Sequence, residues 1–265
     1  MPIFLSEPHY DPNVTVVDYR ITNDNYNIYD IYFHHHRIHT DVTFEPSYVD
    51  SWISKTLRDH PHRPLTIGLD VEWRATFGRP IDNRIATLQL SVSDTCLVFQ
   101  ILHVPSIPNS LTSFLANPNH TFVGAGIGDD RDGPTLLAYG ANDPTYMLYF
   151  YCLKFLCAYC LHDIKFLDPS LSGDVDKLRD HYSLHVASFV DLRDLAADVM
   201  GDREMRSASL KTLAMRVMGK ELVKPRRITL GAWDRRWLDV EQVQYAAVDA
   251  YVSFEIGRRL YSDDL

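Results

Sequence analysis

Residues Leu65 to Trp73 read LTIGLDVEW, an apolar run of strand length that carries two acids, Asp70 and Glu72. Side chains alternate across a strand, so Ile67, Leu69 and Val71 share one face while Gly68, Asp70 and Glu72 share the other. So apolar a run predicts a central strand covered on both sides. Two carboxylates on one buried face are costly as ions unless positive charge joins them. Divalent cations such as Mg²⁺ or Mn²⁺ supply that charge and take oxygen ligands. The structural alternative is an edge strand with an exposed polar face, and the strand alone does not decide between the two.

Outward from this strand the pattern is regular. RIATLQLSV (Arg84 to Val92) and TCLVFQI (Thr95 to Ile101) are two further strands joined by a tight connection, which predicts an antiparallel meander. Upstream, YNIYDIYFHHHRIHTDVTF (Tyr26 to Phe44) reads as two strands meeting near His34, His35 and His36, and Pro46 to His60 as a helix. Adjacent strand residues point to opposite faces, so the three histidines read as an exposed hairpin tip in preference to a metal site. Residues 1–24 are polar, with scattered Pro and Asn, and predict an irregular arm. Downstream, Asn109 to Ala116 is read as a short helix and HTFVGAGIG (His120 to Gly128) as a strand. Asp174 to Tyr182 is helical, Ser188 to Leu192 strand-like, and Arg193 to Met200 and Ser207 to Met218 helical. Residues Asp239 to Arg259 form a long last helix. This order, β-β-β-α-β-α-β-α-α, predicts an α/β sandwich around a mixed five-stranded sheet flanked by helices, one domain over 25–265.

The last helix carries VQYAAVDAY. Tyr245 and Asp249 lie four apart and share a face, with Ala246, Ala247 and Ala250 small enough to let the helix lie close on a sheet. A packed Tyr with a surface Asp is the common reading of such a spacing; co-occurrence with the Asp-x-Glu strand gives it weight. Nearby, ten Lys/Arg between Arg203 and Trp237 face three acids. A solvated helical face explains such a cluster, until a phosphodiester substrate makes Lys211, Lys224, Arg226 and Arg227 candidates for nucleic-acid binding. Trp233 and Trp237 at helical spacing read as core before base-stacking platforms, and Thr87 and Gln89 as packing before substrate contacts.

The chain has 265 residues, 46% hydrophobic and 23% charged, the composition of an ordinary globular protein, and its net charge of −9 argues against a protein that coats nucleic acid through neutralised phosphates without excluding a nuclease. Four cysteines form no disulfide framework. The first thirty residues lack a basic region followed by an apolar one, so an intracellular protein is expected.

LDVEW, ATLQL, CLVFQ, FVGAGIGDD, DLRDLA, SLKTLA and QVQYAAVDAY, in this order, resemble the DEDDy group of 3′–5′ exonucleases, most closely the Werner-syndrome-type exonuclease domains of plants. The resemblance implies a ribonuclease-H-like fold. It implies that Asp70, Glu72, Asp249 and one further Asp hold two divalent cations, Mg²⁺ or Mn²⁺, that serve the attacking water and the leaving 3′ oxygen. Tyr245 matches the family tyrosine that orients the water, a task that suits a phenol better than acting as base. DNA or RNA 3′ ends are the implied substrates, DNA preferred, with nuclear DNA repair the expected setting and the cytoplasm the alternative. A helicase would be a separate partner; no membrane and no small-molecule cofactor are expected. Two other readings stay open: a catalytically impaired nucleic-acid-binding homologue, and a ribonuclease-D-like trimmer of RNA 3′ ends.

The pattern breaks once. The family runs Gly-Ile-x-x-Asp-x-x-Lys-Leu, whereas here GIGDD ends at Asp130 and VDKL begins at Val175, with an atypical insertion at about 131–173. Read from the strand the remaining ligand is Asp130; read from the helix it is Asp174. Asp130 is preferred, because the strand end is the fixed point beside Asp70. The insertion holds MLYFYCLKFLCAYCL (Met147 to Leu161), whose 15 residues fall short of the ~20 that span a bilayer. Cys157, Cys160 and His162 are weak evidence for zinc without a second Cys pair, and the segment reads as a translated intron that leaves the frame intact when removed.

Overall fold

The computed structural model describes residues 3–5, 11–21, 23–61, 64–75, 83–126 and 173–262. The insertion at about 131–173, Asp130 and the Cys157/Cys160/His162 set lie outside the described residues or at their margin.

Nine strands and seven helices follow one another as β1 (Ile3–Leu5), β2 (Val14–Asp18), β3 (Tyr26–Phe33), β4 (His36–Thr43), α1 (Pro46–Asp59), β5 (Thr66–Trp73), β6 (Ile85–Val92), β7 (Thr95–Phe99), α2 (Asn109–Leu115), β8 (Thr121–Gly124), α3 (Asp174–Tyr182), β9 (Phe189–Asp191), α4 (Leu192–Met200), α5 (Leu210–Leu213), α6 (Arg226–Thr229) and α7 (Val240–Ser262) among the described residues. The strands make one mixed sheet in the order β1-β2-β3-β4-β7-β6-β5-β8-β9. The five strands expected from sequence form a contiguous block of it, β7-β6-β5-β8-β9, with the meander antiparallel and β8 and β9 added in parallel. The hairpin β3–β4 joins this block because β4 pairs in parallel with β7, from His39 opposite Thr95 to Thr43 opposite Phe99. Sequence order offers no sign of that crossover.

The expected irregular arm is corrected for part of its length. Val14 to Asp18 pairs with β3, and Val14 and Val16 turn inward around an exposed Thr15, against Phe33 and Ile31 of β3. β-branched residues suit such a half-buried pleat, and burial beside β3 outweighs the Pro and Asn that flank the strand. Between β3 and β4, His34 and His35 take positive φ (44° and 73°), the geometry of a two-residue hairpin turn. His35 and His36 are exposed, so the histidines form a hairpin tip. The helix expected over Ser207 to Met218 is a short α-helical turn followed by wider turns at Ala214–Met218, ended by Gly219 at φ 63°.

The alternation within β5 decides what each side of the sheet does. Ile67, Leu69 and Val71 join Val49, Trp52 and Ile53 of α1, Leu111, Phe114 and Leu115 of α2, and Val175 and Leu178 of α3 in one core. On the other side Val243, Ala246, Ala247, Ala250 and Phe254 of α7 build a second core with α4 and α5. Helix α7 starts with a reciprocal cap, Asp239 Oδ1 accepting from Gln242 N (2.9 Å) and Gln242 Oε1 from Asp239 N (3.2 Å). It lies unusually near the sheet because glycines face it or belong to it where contact is tightest. A Cβ on Gly68 would sit 2.7 Å from Phe254 N and closer still to the Ala250 carbonyl, and one on Gly257 would sit 2.9 Å from Val123 Cγ2. Among the described residues no helix is long and apolar enough to cross a membrane.

Candidate active site

The close approach of α7 to β5 brings the two acidic motifs together. Asp70 and Glu72 occupy the α7 side of β5, two and four residues beyond Gly68; Asp249 precedes Ala250, whose carbonyl fills the space a Gly68 side chain would need. Asp70, Glu72 and Asp249 each offer a carboxylate oxygen within 4.8 Å of the others. Two unit negative charges at that separation repel by ~3 kcal/mol at the effective dielectric of a protein site. Glu72 is 8% and Asp249 2% exposed, so water does little to relieve the repulsion.

The titration behaviour follows. Burial, then the charges of Asp70 and Asp249, push the Glu72 carboxyl well above its ordinary range, and Lys224 only partly opposes them. Burial and the Asp249 charge likewise hold the Tyr245 phenol well above its usual value, so it keeps its proton at neutral pH. The Thr229 hydroxyl donates to the phenol oxygen over 3.4 Å, and the Trp233 ring lies 6.0 Å from the Tyr245 ring, so the phenol is held in place from two sides. Burial pulls the Lys224 ammonium down, but Asp249, Tyr245 and Asp70 override it and hold it well above its ordinary value.

Asp70, Glu72, Lys224, Thr229 and Tyr245 line one cleft of about 100 Å³ with Trp73, Ala125, Gly126, Asp174 and Ser253, and Asp249 adjoins it through Asp70, Glu72 and Lys224. Asp174 opens α3 and adds to the charges that raise Glu72. Next to β5, β6 sets Gln89 opposite Asp70 and Thr87 opposite Glu72. Both are fully buried, and the Gln89 amide donates to Thr87 Oγ1 at 2.6 Å, so they pack beside the two acids on the α7 side of the sheet.

Other sequence candidates separate into distinct roles. Lys224 leaves the outer basic surface and contacts Asp249 at 2.9 Å. Arg227 pairs with Glu241 and ties α6 to the first turn of α7. Lys211 and Arg226 are exposed. Trp233 is core, its Nε1 donating to Thr229 O, whereas Trp237 is exposed edge-on to Phe44. Sequence reasoning missed Thr229 and the stacked pair Trp73 and Lys177, whose ammonium lies 4.1 Å from the ring centre. The Lys in the Asp-x-x-Lys-Leu spacing was the one available signal for that pair.

A family model described as 3′–5′ exonuclease matches residues 160–263, a stretch that holds Asp174, Lys224, Tyr245 and Asp249. The chain is 32% identical over 198 residues to a 3′-5′ exonuclease of Arabidopsis thaliana, covering 73% of this chain and 52% of that protein. It is 26% identical over 195 residues to the bifunctional 3′-5′ exonuclease/ATP-dependent helicase WRN of Mus musculus, covering 73% of this chain and 11% of that protein. The chain therefore spans about half of one relative and a small part of the other. Among solved structures, Escherichia coli RNase D shares the fold with a TM-score of 0.56 at 16% identity, over 84% of this chain and 44% of that one.

Proposed function

We propose that this chain, which carries a 3′–5′ exonuclease domain of the DEDDy type, removes nucleotides from the 3′ end of a DNA strand by metal-assisted hydrolysis of the terminal phosphodiester. The observation that carries the reading is the convergence of Asp70, Glu72 and Asp249 within 4.8 Å beside a cleft that Asp70 and Glu72 line together with Tyr245. An all-oxygen, anionic donor set fits hard divalent cations, and its repulsion is relieved by binding them. Asp70, Glu72, Asp249 and Asp174 would hold two Mg²⁺ or Mn²⁺ ions. When bound, such ions make water a stronger nucleophile and stabilise the leaving 3′ oxygen.

Asp174 is assigned as the fourth carboxylate, supported by its place in the cleft and by its charge among those acting on Glu72. Tyr245 keeps its proton and accepts from Thr229, which leaves the phenol O–H to donate to, and so orient, an attacking water. Lys211 and Arg226, exposed and carrying no ion pair that the structure describes, are assigned to the backbone of the incoming strand. Action in the nucleus on DNA repair intermediates, beside a separate helicase, extends the reading; the resemblance to Werner-type domains supports it. The mouse relative's name joins both activities in one chain.

The test is degradation of a labelled 3′-recessed DNA duplex with Mg²⁺ or Mn²⁺, compared with Asp70→Ala and with a matched RNA. Stepwise shortening from the 3′ end, lost in Asp70→Ala, is expected. Equal cleavage by the two proteins sinks the mechanism, faster trimming of RNA moves the assignment to a ribonuclease-D-like enzyme, and binding without metal-stimulated cleavage marks an impaired homologue.

A further inference from the structure

Lys224 brings a cation to one of the acids that a bound metal ion also needs. Its Nζ lies 2.9 Å from Asp249 Oδ2 and 5.4 Å from the centre of the Tyr245 ring. Asp249 is buried, so water does not screen this contact as it does a surface ion pair. Lys224 comes from the connection between Gly219 and α6 and from no helix, and a third of its side chain reaches solvent. The ammonium therefore rides a flexible stem that lines the cleft and also reaches solvent.

An ion held by Asp70, Glu72 and Asp249 would take a carboxylate oxygen of Asp249 as one of its ligands. An ammonium at hydrogen-bond distance from the same Asp249 carboxylate then faces a like charge across a few ångströms of poorly hydrated space, and both contacts are not kept at full strength. Asp70, Glu72 and Asp174 line the same cleft but would be held by the ions, so the anion left to a displaced Lys224 is the phosphate of a bound strand, which a lysine meets as a point charge.

We propose that Lys224 and the divalent cation compete for Asp249, and that metal binding transfers the Lys224 ammonium from Asp249 to the phosphate of the 3′-terminal nucleotide. The proposal rests on the exonuclease reading above. Two consequences follow. Lys224 lowers metal affinity in the free protein, and a bound strand restores it by engaging the competitor, so metal and strand bind cooperatively through this side chain.

The experiment titrates Mn²⁺ into the full chain, followed by electron paramagnetic resonance, with and without an oligonucleotide whose terminal phosphorothioate linkage resists cleavage. Lys224→Met is expected to bind Mn²⁺ roughly fivefold or more tightly than wild type without the oligonucleotide, and to gain less affinity on its addition. Lys224→Arg keeps the charge and should follow wild type, as should Lys55→Met on α1. Mn²⁺ affinity unchanged or weakened in Lys224→Met, or an equal gain on adding the strand, overturns the proposal while leaving the exonuclease reading in place. Failure of wild type and variants alike to bind Mn²⁺ overturns both.

Discussion

Gly68→Ala probes the contact on which the whole site depends. A Cβ at this position would lie 2.7 Å from Phe254 N, closer still to the Ala250 carbonyl oxygen and 3.0 Å from Phe254 Cβ, where ordinary contacts begin at 3.4 Å. Two of these obstacles are backbone atoms of α7, so no side-chain rotation clears them. The helix has to move off β5 by ~1 Å or more to restore normal separations. Asp249 adjoins Ala250 and Asp70 lies on the same strand two residues from Gly68, so the shift opens the carboxylate cluster by a similar distance. Metal–oxygen bonds tolerate about 0.2 Å, so Asp249 is lost to any ion held by β5. Overpacking of this kind costs about 1–3 kcal/mol, roughly 2–4 °C of melting temperature for each kcal/mol in a chain this long, and a misplacement of ~1 Å costs about 100-fold in rate. The assay is the melting temperature in EDTA and in Mn²⁺, paired with 3′-end cleavage. Gly68→Ala should lose several degrees, most of its stabilisation by Mn²⁺ and most of its cleavage. Gly201→Ala, at φ 65° with nothing within 4 Å of the added Cβ, should lose stability through backbone strain while keeping its response to Mn²⁺. A Gly68→Ala protein with the wild-type Mn²⁺ shift and wild-type cleavage refutes the argument that this contact sets the site.

Glu72→Gln removes a carboxyl whose charge Asp70 and Asp249 repel, so in EDTA its melting temperature should exceed that of wild type increasingly as pH rises, and yet it should lose about 100-fold in cleavage; a gap that does not grow with pH contradicts the repulsion. Because the folded protein holds the Glu72 proton more tightly than the unfolded chain, the stability from that proton is complete below the ordinary glutamate range and is lost as pH rises through the raised value. Melting temperature in EDTA should therefore fall as pH rises above the ordinary glutamate range and fall less in Glu72→Gln, while Mn²⁺ affinity climbs as the proton leaves; parallel pH curves for the two proteins count against it. Asp174→Asn should lower cleavage about 100-fold and Asp176→Asn, paired with Arg179 on the same helix, should not; equal rates for both would return the fourth ligand to another residue. Tyr245→Phe should keep Mn²⁺ binding and lose about tenfold or more in cleavage rate, and a rate equal to wild type would remove its orienting role.

Much of the site was legible in the sequence because two short periods are local properties. A strand repeats every two residues and a helix every 3.6, so Asp70 and Glu72 share a face, as do Tyr245 and Asp249, whatever the rest of the chain does. The same periods marked the five-strand block and its helices, and a resemblance spread over seven short motifs named the family. Local pattern stopped at pairings between distant segments. β4 lies parallel to β7 and β2 joins the sheet because their side chains complete a core assembled from the whole chain. Lys211, Lys224, Arg226 and Arg227 looked equivalent as a basic stretch, yet the fold pairs Lys224 with Asp249 and Arg227 with Glu241, while among the described residues Lys211 and Arg226 show no ion pair. The sequence by itself determined which acids belong together on each element. Only the tertiary structure decided that the two elements meet, through a glycine that lets a helix backbone touch a strand, and that Asp174 and Lys224 join them, because distances between remote segments are set by packing and not by spacing along the chain.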